Sequence, residues 1–255
     1  MKIGSVLVTG ANRGIGLEFV RQFSQLDDAP DFIFATYRSE KTVQELNEIK
    51  EKSKSRMILI KMDVTVLEEI KASKKKIEEL VGDRGLNLLI NNAGVMRMEG
   101  FPNITSDGLE FIFKSNTVSC IMVTQVMFPL LETAASKSGI KGMSMSKAAV
   151  LNMTSKTGSI QDTGVKFVED LIVPGYKISK AALNMGMRII AAEVKDKNIL
   201  VVNMCPGWVK TDMGDRNLAE IEPEVSIGDI LETLPKLGEN HHGSYTDRFG
   251  QKYPY

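Results

Sequence analysis

The chain has 255 residues, 43% of them hydrophobic and 25% charged, which fits one large α/β domain with a full core. Its 32 basic residues balance 32 acidic ones, so electrostatics give no case for nucleic acid or an anionic membrane. No apolar run is expected to reach the roughly 20 residues that span a bilayer, and the stretch 3–8 is too short for a signal peptide.

Short apolar runs predict strands at residues 3–9, 32–37, 57–62, 86–91, 148–154 and 199–205, with a short closing strand near 244–245. Helical patterns lie between them at 14–26, 42–54, 67–81, 106–134 and 176–195. A last helix is expected from Ser226, as its N-cap, to Leu237. This alternation predicts an α/β fold over residues 1–255, a single Rossmann-type domain. Its doubly wound parallel sheet should have about seven strands with helices on both faces. Cys120 and Cys205 lie in separate apolar segments and are expected as small buried hydrophobes, in a reduced, cytoplasmic setting. His241 and His242 have no companion ligands and read as a surface pair, so no metal site is expected. Ser146–Met153 nearly repeats Ser179–Met185, which small and apolar residues do easily by coincidence.

Gly10, Asn12, Arg13, Gly14, Ile15 and Gly16 follow the first predicted strand and open the first helix. Gly10 permits a tight turn, and Gly14 and Gly16 let the backbone approach a pyrophosphate closely. The helix N-terminus offers unpaired N–H groups and positive potential to the phosphates. An acidic residue that would bind a ribose 2′-hydroxyl is missing, because no acid lies between Asp31 and Glu40. Arg38 occupies that region and Arg13 the glycine loop. Two guanidinium groups suit a 2′-phosphate, so NADP(H) is the expected cofactor; the alternative is two solvated arginines. Tyr37 is expected beside the adenosine.

Tyr176 and Lys180 lie four residues apart and should share a helix face. An ammonium near a phenol favours the phenolate and lowers its pKa, which suits proton exchange with a carbonyl or alcohol oxygen. Tyr37 and Lys41 have the same spacing but straddle a strand end and a loop. Other pieces fall at predicted strand ends, where open parallel sheets bind ligands. They are Asp63-Val64, Asn92-Ala93-Gly94, Ser155, and Pro206-Gly207 followed by Val209 and Thr211. Asn116 sits in the long fifth helix.

The glycine pattern, Asn-Asn-Ala-Gly, Ser155 with Tyr-x-x-x-Lys, and Pro-Gly together resemble the short-chain dehydrogenase/reductase superfamily over nearly the whole chain. Asn12-Arg13-Gly14, Gly85-Leu86-Asn87, Gly158-Ser159-Ile160-Gln161, Pro206 to Met213 and Lys236 to Glu239 are similar, more narrowly, to the sniffer-type carbonyl reductases. The resemblance implies that Tyr176 is the general acid and that Lys180 lowers its pKa and bonds the nicotinamide ribose. Ser155 would orient the substrate oxygen, and Asn116 would hold a relay water. Asp63 and Val64 would border the adenine, Asn92 and Ala93 would pass under the cofactor, and Val209 and Thr211 would contact its carboxamide and phosphates.

Ser155 and Tyr176 are farther apart than in most of the superfamily. The surplus, residues 161–175, carries Phe167, Val168, Leu171, Ile172 and Val173, which would wall an apolar substrate or else form a surface excursion or subunit contact. Residues 214–225, with Glu220, Glu222 and Glu224, are expected as a short mobile substrate loop, and Trp208 and Met213 as substrate contacts. The leading expectation is an NADPH-dependent carbonyl reductase of apolar aldehydes, ketones or quinones. The alternatives are a dehydrogenase of a specific secondary alcohol, such as a steroid or isoprenoid hormone, and an NADP(H)-binding regulatory protein. Partners would be a small carbonyl or alcohol substrate and, from resemblance, a second copy in a homodimer; no nucleic acid or membrane partner is expected.

Overall fold

Buried apolar runs must pair their backbone groups with a neighbour. In the computed structural model, which describes residues 2–164 and 172–255, they do so in one parallel sheet. The strands are β1 (Ser5–Val8), β2 (Phe32–Tyr37), β3 (Arg56–Lys61), β4 (Leu88–Asn91), β5 (Ala149–Met153), β6 (Leu200–Met204) and β7 (Ser244–Thr246). Their order is β3-β2-β1-β4-β5-β6-β7, with every neighbouring pair parallel. The winding reverses between β1 and β4, which opens a crevice at the strand carboxyl ends. Every residue of β1, β4, β5 and β6 is buried, as helices on both faces require.

Helices α1 (Gly14–Gln25), α2 (Gln44–Lys52), α3 (Leu67–Val81), α4 (Ser106–Phe113), α5 (Ser119–Lys137), α6 (Pro174–Glu193) and α7 (Pro223–Thr233) complete the layers. Alternate strand residues point to opposite faces. Val6 and Val8 pack with Phe19 of α1, Leu46 of α2 and Ile227 of α7, whereas Leu7 packs with Ile77 of α3, Met127 of α5 and Leu183 of α6.

Several expectations change. Ser226 is no N-cap: Glu222 holds that position, Pro223 starts the helix, and Ser226 donates its hydroxyl to Pro206 O at 2.7 Å. The single long helix expected from residue 106 is interrupted by a π-helical turn at Lys114–Val118, where Ser119 N donates to Lys114 O, five residues back. The combined Ser106–Lys137 stretch is long and apolar enough to cross a membrane by length and composition. Half of its most apolar window is buried, and Val123, Met127 and Leu131 fill the core. His241 and His242 are half-buried rather than a surface pair. His241 Nδ1 accepts from Gly238 N at 3.3 Å, and His242 Nδ1 accepts from Val201 N at 3.3 Å. Cys120 and Cys205 are buried and free. The near-repeat is coincidental in structure, since one copy runs into β5 and the other lies in α6.

Asn91, Asn152 and Asn203 stand in register across β4, β5 and β6. Asn91 Nδ2 donates to Asn152 Oδ1 at 2.8 Å, and Asn152 Nδ2 donates to Asn203 Oδ1 at 3.0 Å. This buried row joins the carboxyl ends of the strands that carry the chemical groups, and in a low-dielectric interior such bonds hold geometry firmly.

Candidate active site

At the β1 end, the loop shape depends on missing side chains. Gly10 has φ 62°, and a Cβ there would lie 3.0 Å from Ala93 Cα. A Cβ on Gly16 would overlap Gly10 O and Asn92 Nδ2 and come within 3.0 Å of Ala11 Cα. Thr36 holds the turn from β2: its Oγ1 accepts from Gly10 N at 3.1 Å and its carbonyl from Ala11 N at 2.7 Å. Asn92 ties β4 to β1, donating to Thr9 O at 2.9 Å and Gly10 O at 3.1 Å, while Ala93 N donates to Thr9 Oγ1 at 3.0 Å. Arg13 occupies the N-cap of α1 with no side-chain cap bond, so no side chain at that position claims the first-turn N–H groups. That is the donor set an anion needs. Ile15 packs on the core, and Asn12 Nδ2 donates to Thr42 Oγ1 at 3.0 Å.

Arg38 is exposed at the end of β2 and has no bonded partner among the described residues. Arg13 pairs with Asp212 Oδ2 at 3.5 Å across the mouth of the crevice, with both side chains more than half exposed. Glu40, the next acid after Asp31, is taken up by Tyr37, whose hydroxyl donates to Glu40 Oε1 at 3.0 Å. Lys41 falls in a 3₁₀ turn, so Tyr37 and Lys41 share no helix face. Asp63 Oδ1 accepts from Thr65 N at 2.8 Å and Thr65 Oγ1 at 2.7 Å, and Val64 packs beside it on the core.

The loop after β6 returns toward this end. Gly207 adopts φ 87°, Val209 is buried and bridges to Ile221, and Thr211 Cγ2 would lie 3.2 Å from a Cβ on Gly14. Pro206 O is the acceptor that holds Ser226. Residues 214–222 fold back on 208–210, where Lys210 Nζ pairs with Glu222 Oε1 at 2.6 Å. The expected substrate loop is thus shorter than 214–225, because Pro223 already begins α7, and Glu222 is paired rather than only solvated. Trp208 is turned into its own loop, donating its Nε1–H to Gly214 O.

The chemical groups meet at the β5 end. Pro174 starts α6, so Tyr176 and Lys180 stand on its first two turns. Lys180 is 4% exposed; its Nζ donates to Met153 O at 2.9 Å and lies 5.5 Å from the Tyr176 ring centroid. Asn116 is fully buried in the π turn. Its Oδ1 accepts from Val95 N at 2.8 Å, and its Nδ2 donates to Val95 O at 2.9 Å and Ser179 Oγ at 3.0 Å. Its side chain is therefore spent on protein, and its backbone carbonyl accepts from Cys120 Sγ at 3.3 Å. Gly94 makes room for this meeting: a Cβ there would lie 3.3 Å from Asn116 Oδ1 and 3.8 Å from Lys180 Nζ. π turns are rare and cluster at functional sites.

Ser155 lies two residues past β5 and caps a short 3₁₀ turn; its Oγ accepts from Thr157 N at 3.2 Å and is hydrogen-bonded to Thr157 Oγ1 at 2.9 Å, where either hydroxyl can donate. Burial pushes the half-buried Tyr176 phenol up, the Cys205 thiol adds to this, and a hydrogen bond with Ser155 pulls it down. The expected lowering by Lys180 does not prevail in this arrangement, for two physical reasons. The ammonium lies over the ring, with Met153 O as its acceptor, and burial pushes its own pKa down, opposed by the Cys120 and Cys205 thiols.

Three groups at this site had no linear signal. Val95 anchors Asn116 through backbone alone. Cys205 Sγ accepts from Lys156 N at 3.1 Å and Gly207 N at 3.4 Å. Tyr245 donates its hydroxyl to Ser155 O at 2.6 Å across 90 residues of sequence. Phe167, Val168 and Leu171, expected in the wall of the cleft, lie outside the described residues. Of that segment, Val173 is buried and Ile172 is exposed beside Gly100, whose Cβ position would be 3.1 Å from Ile172 Cγ2.

A family model described as short chain dehydrogenase matches residues 4–222. The fold is similar to that of the carbonyl reductase Sniffer of D. melanogaster, with TM-score 0.93 and 31% identity over 99% of this chain and 100% of that one. It is also similar to an NADPH-bound carbonyl reductase from chicken fatty liver, with TM-score 0.95 and 36% identity over 100% of this chain and 95% of that one. A short-chain dehydrogenase of Penicillium roqueforti is 30% identical over 82% of this chain and 80% of its own length.

Proposed function

Because the chain belongs to the short chain dehydrogenase family, we propose that it is an NADPH-dependent carbonyl reductase acting on apolar aldehydes, ketones or quinones. The observation that carries this reading is the convergence of Ser155, Tyr176, Lys180 and Asn116 at the β5 end of the crevice. The two neighbouring carbonyl reductases above support it, one of them described as NADPH bound.

The residues at the other end fit the cofactor. The glycine cradle leaves no space for side chains, and the uncapped N-terminus of α1 presents N–H donors to a pyrophosphate. Arg38, unpaired among the described residues, and Arg13 would hold a 2′-phosphate. Tyr37 would flank the adenosine, Asp63 and Val64 the adenine, and Lys180, Val209 and Thr211 the nicotinamide half. When bound, the nicotinamide supplies the hydride.

The chain's own residues then handle the oxygen. The Ser155 hydroxyl donates to the substrate carbonyl oxygen and orients it, a preorganised donor aimed at developing charge. Tyr176 gives its phenolic proton to that oxygen, completing the alcohol. Lys180, over the ring of Tyr176, stabilises the phenolate left behind, and a water at the Asn116 carbonyl carries a replacement proton in from solvent. A phenol is protonated at neutral pH, the state a general acid requires.

The reading includes a cytoplasmic setting, in keeping with two free thiols, and a homodimer. Exposed Phe113 and Val118 near the start of α5, with Met185 and Ile189 on α6, would supply the apolar subunit contact. NADPH consumption against a carbonyl panel tests the function, and turnover of several apolar carbonyls is expected. Oxidation of one strongly preferred secondary alcohol would instead favour a dedicated dehydrogenase. Tight cofactor binding with no turnover in either direction would overturn the enzyme reading in favour of a regulatory protein.

A further inference from the structure

We infer that Tyr245 and Cys205 are positioning residues for Ser155, gripping the two polar ends of the one peptide unit that follows it. In a trans peptide the C=O and N–H point in opposite directions. Here the carbonyl of Ser155 accepts from the Tyr245 hydroxyl at 2.6 Å, and the N–H of Lys156 donates to Cys205 Sγ at 3.1 Å. One grip comes from β7 and the other from the residue after β6, so the plane is held from both sides. Gly158 N also donates to Ser155 O at 2.9 Å, closing the short turn.

The plane matters because it sets where the hydroxyl points. Thr154 N is tied to Met204 O at 2.9 Å, which anchors the chain just before Ser155. With the following plane also held, Ser155 keeps its extended backbone, φ −150° and ψ 146°, and its Cα–Cβ bond has little freedom left. Thr157 then fixes the remaining torsion through its N–H and hydroxyl.

The chemistry of the two side chains argues for more than packing. Tyr245 is 1% exposed, with its ring between Tyr253 at 5.2 Å and Tyr255 at 5.7 Å. Phenylalanine would fill that space without burying a polar atom, so the hydroxyl carries a desolvation cost that its bond to Ser155 offsets. Burial pushes this phenol up, with the Cys205 thiol next in effect, so it remains a donor across the working pH range. Cys205 likewise does more than fill space, since its sulfur accepts from both Lys156 N and Gly207 N and links the loops after β5 and β6. The last residues of the chain reinforce the arrangement: Tyr253 N donates to Tyr245 O at 2.8 Å, and Tyr255 O accepts from Gln161 N at 3.0 Å.

The inference rests on the carbonyl-reductase reading for the role of Ser155, and a double-mutant cycle with an amide-exchange arm separates the two. Tyr245→Phe should lower kcat for carbonyl reduction about tenfold while leaving NADPH affinity unchanged. In a Ser155→Ala background the same change should cost less than about twofold, because both act through one hydroxyl. Unchanged kcat, or an equal fall in both backgrounds, overturns the inference. If the native protein reduces no carbonyl, the functional reading fails and exchange at the Lys156 amide decides the grip. Exchange should quicken about tenfold in Tyr245→Phe and in Cys205→Ala, and return to the native rate in Cys205→Ser, with the β1 amides unchanged as the control for global stability. Native protection of the Lys156 amide in both Tyr245→Phe and Cys205→Ala overturns it.

Discussion

The two ends of the crevice are built on opposite plans. At the β1 end the site is a piece of nearly continuous backbone, Thr9 to Gly16, shaped by absent side chains and pinned by Thr36 and Asn92. At the β5 end it is a set of side chains gathered from the ends of β5 and β6, the π turn, α6 and β7, with the amide of Asn116 bonded in the interior and the ammonium of Lys180 held there by Met153 O. Backbone donors at a helix terminus cost little to present, because they are unpaired anyway. Buried amides and ammonium groups carry a desolvation penalty and persist only with good partners. The β1 end should therefore fail through steric intrusion, and the β5 end through loss of single polar atoms.

The largest expected effect is at the β5 end. Tyr176→Phe should reduce turnover at least about a hundredfold, the scale of a lost general acid, with NADPH affinity by fluorescence titration within about twofold of native. Retention of more than about a tenth of native kcat would remove the assigned role. Gly16→Ala is the matching test of the β1 end. Its methyl would overlap Gly10 O and Asn92 Nδ2, so the loop must shift. About 1–3 kcal/mol of stability should be lost, and NADPH affinity should fall at least about tenfold. At saturating NADPH, kcat should change far less than in Tyr176→Phe. A collapse of kcat with affinity intact would mean that the two ends are not separable.

A smaller, selective effect is expected at Arg38. Arg38→Asp should shift the ratio of NADPH to NADH affinities by about ten- to a hundredfold toward NADH, and an unchanged ratio would leave Arg38 as a solvated surface residue. These substitutions also trace what the sequence could disclose. The glycine loop, Arg38 without a competing acid, and the Tyr176–Lys180 spacing are local patterns whose meaning survives in one dimension. The doubly wound parallel sheet follows from βα alternation for the same reason. The π turn at Lys114–Val118 leaves no signature, because a one-residue widening of a helix depends on what Asn116 finds to bond. The contact of Tyr245 with Ser155 is equally invisible, since it depends on β7 closing the sheet beside β6. The pKa balance at Tyr176 is not legible in the four-residue spacing, because spacing carries no information about burial.

The same contrast should appear, more weakly, in alkaline stability. Burial raises the pKa of Cys120, Tyr176, Cys205, Tyr245 and Tyr253, all at or near the β5 end. For each of these acids the unfolded chain loses its proton first, so the native state binds more protons above the ordinary values of 9.0 for a thiol and 10.0 for a phenol. The stability they contribute is present in full below those values and declines as pH rises beyond them. Lys180 acts the other way. Burial lowers its pKa, so its contribution is complete above the ordinary 10.5 and is lost as pH falls through the depressed value. At this end five groups oppose one, and the raised Tyr37 and Lys197 elsewhere act in the same direction as the five, so the net is a fall. Urea midpoints should stay level from neutral pH to about pH 8 and drop steadily above about pH 9. Tyr245→Phe and Cys205→Ala should each make that decline shallower. Tyr37→Phe, at the β1 end, should change it least, because Tyr37 is only partly buried and its phenol is raised by burial together with Glu40. Identical slopes in all three variants would show that alkaline loss is not concentrated where the chemical groups are buried.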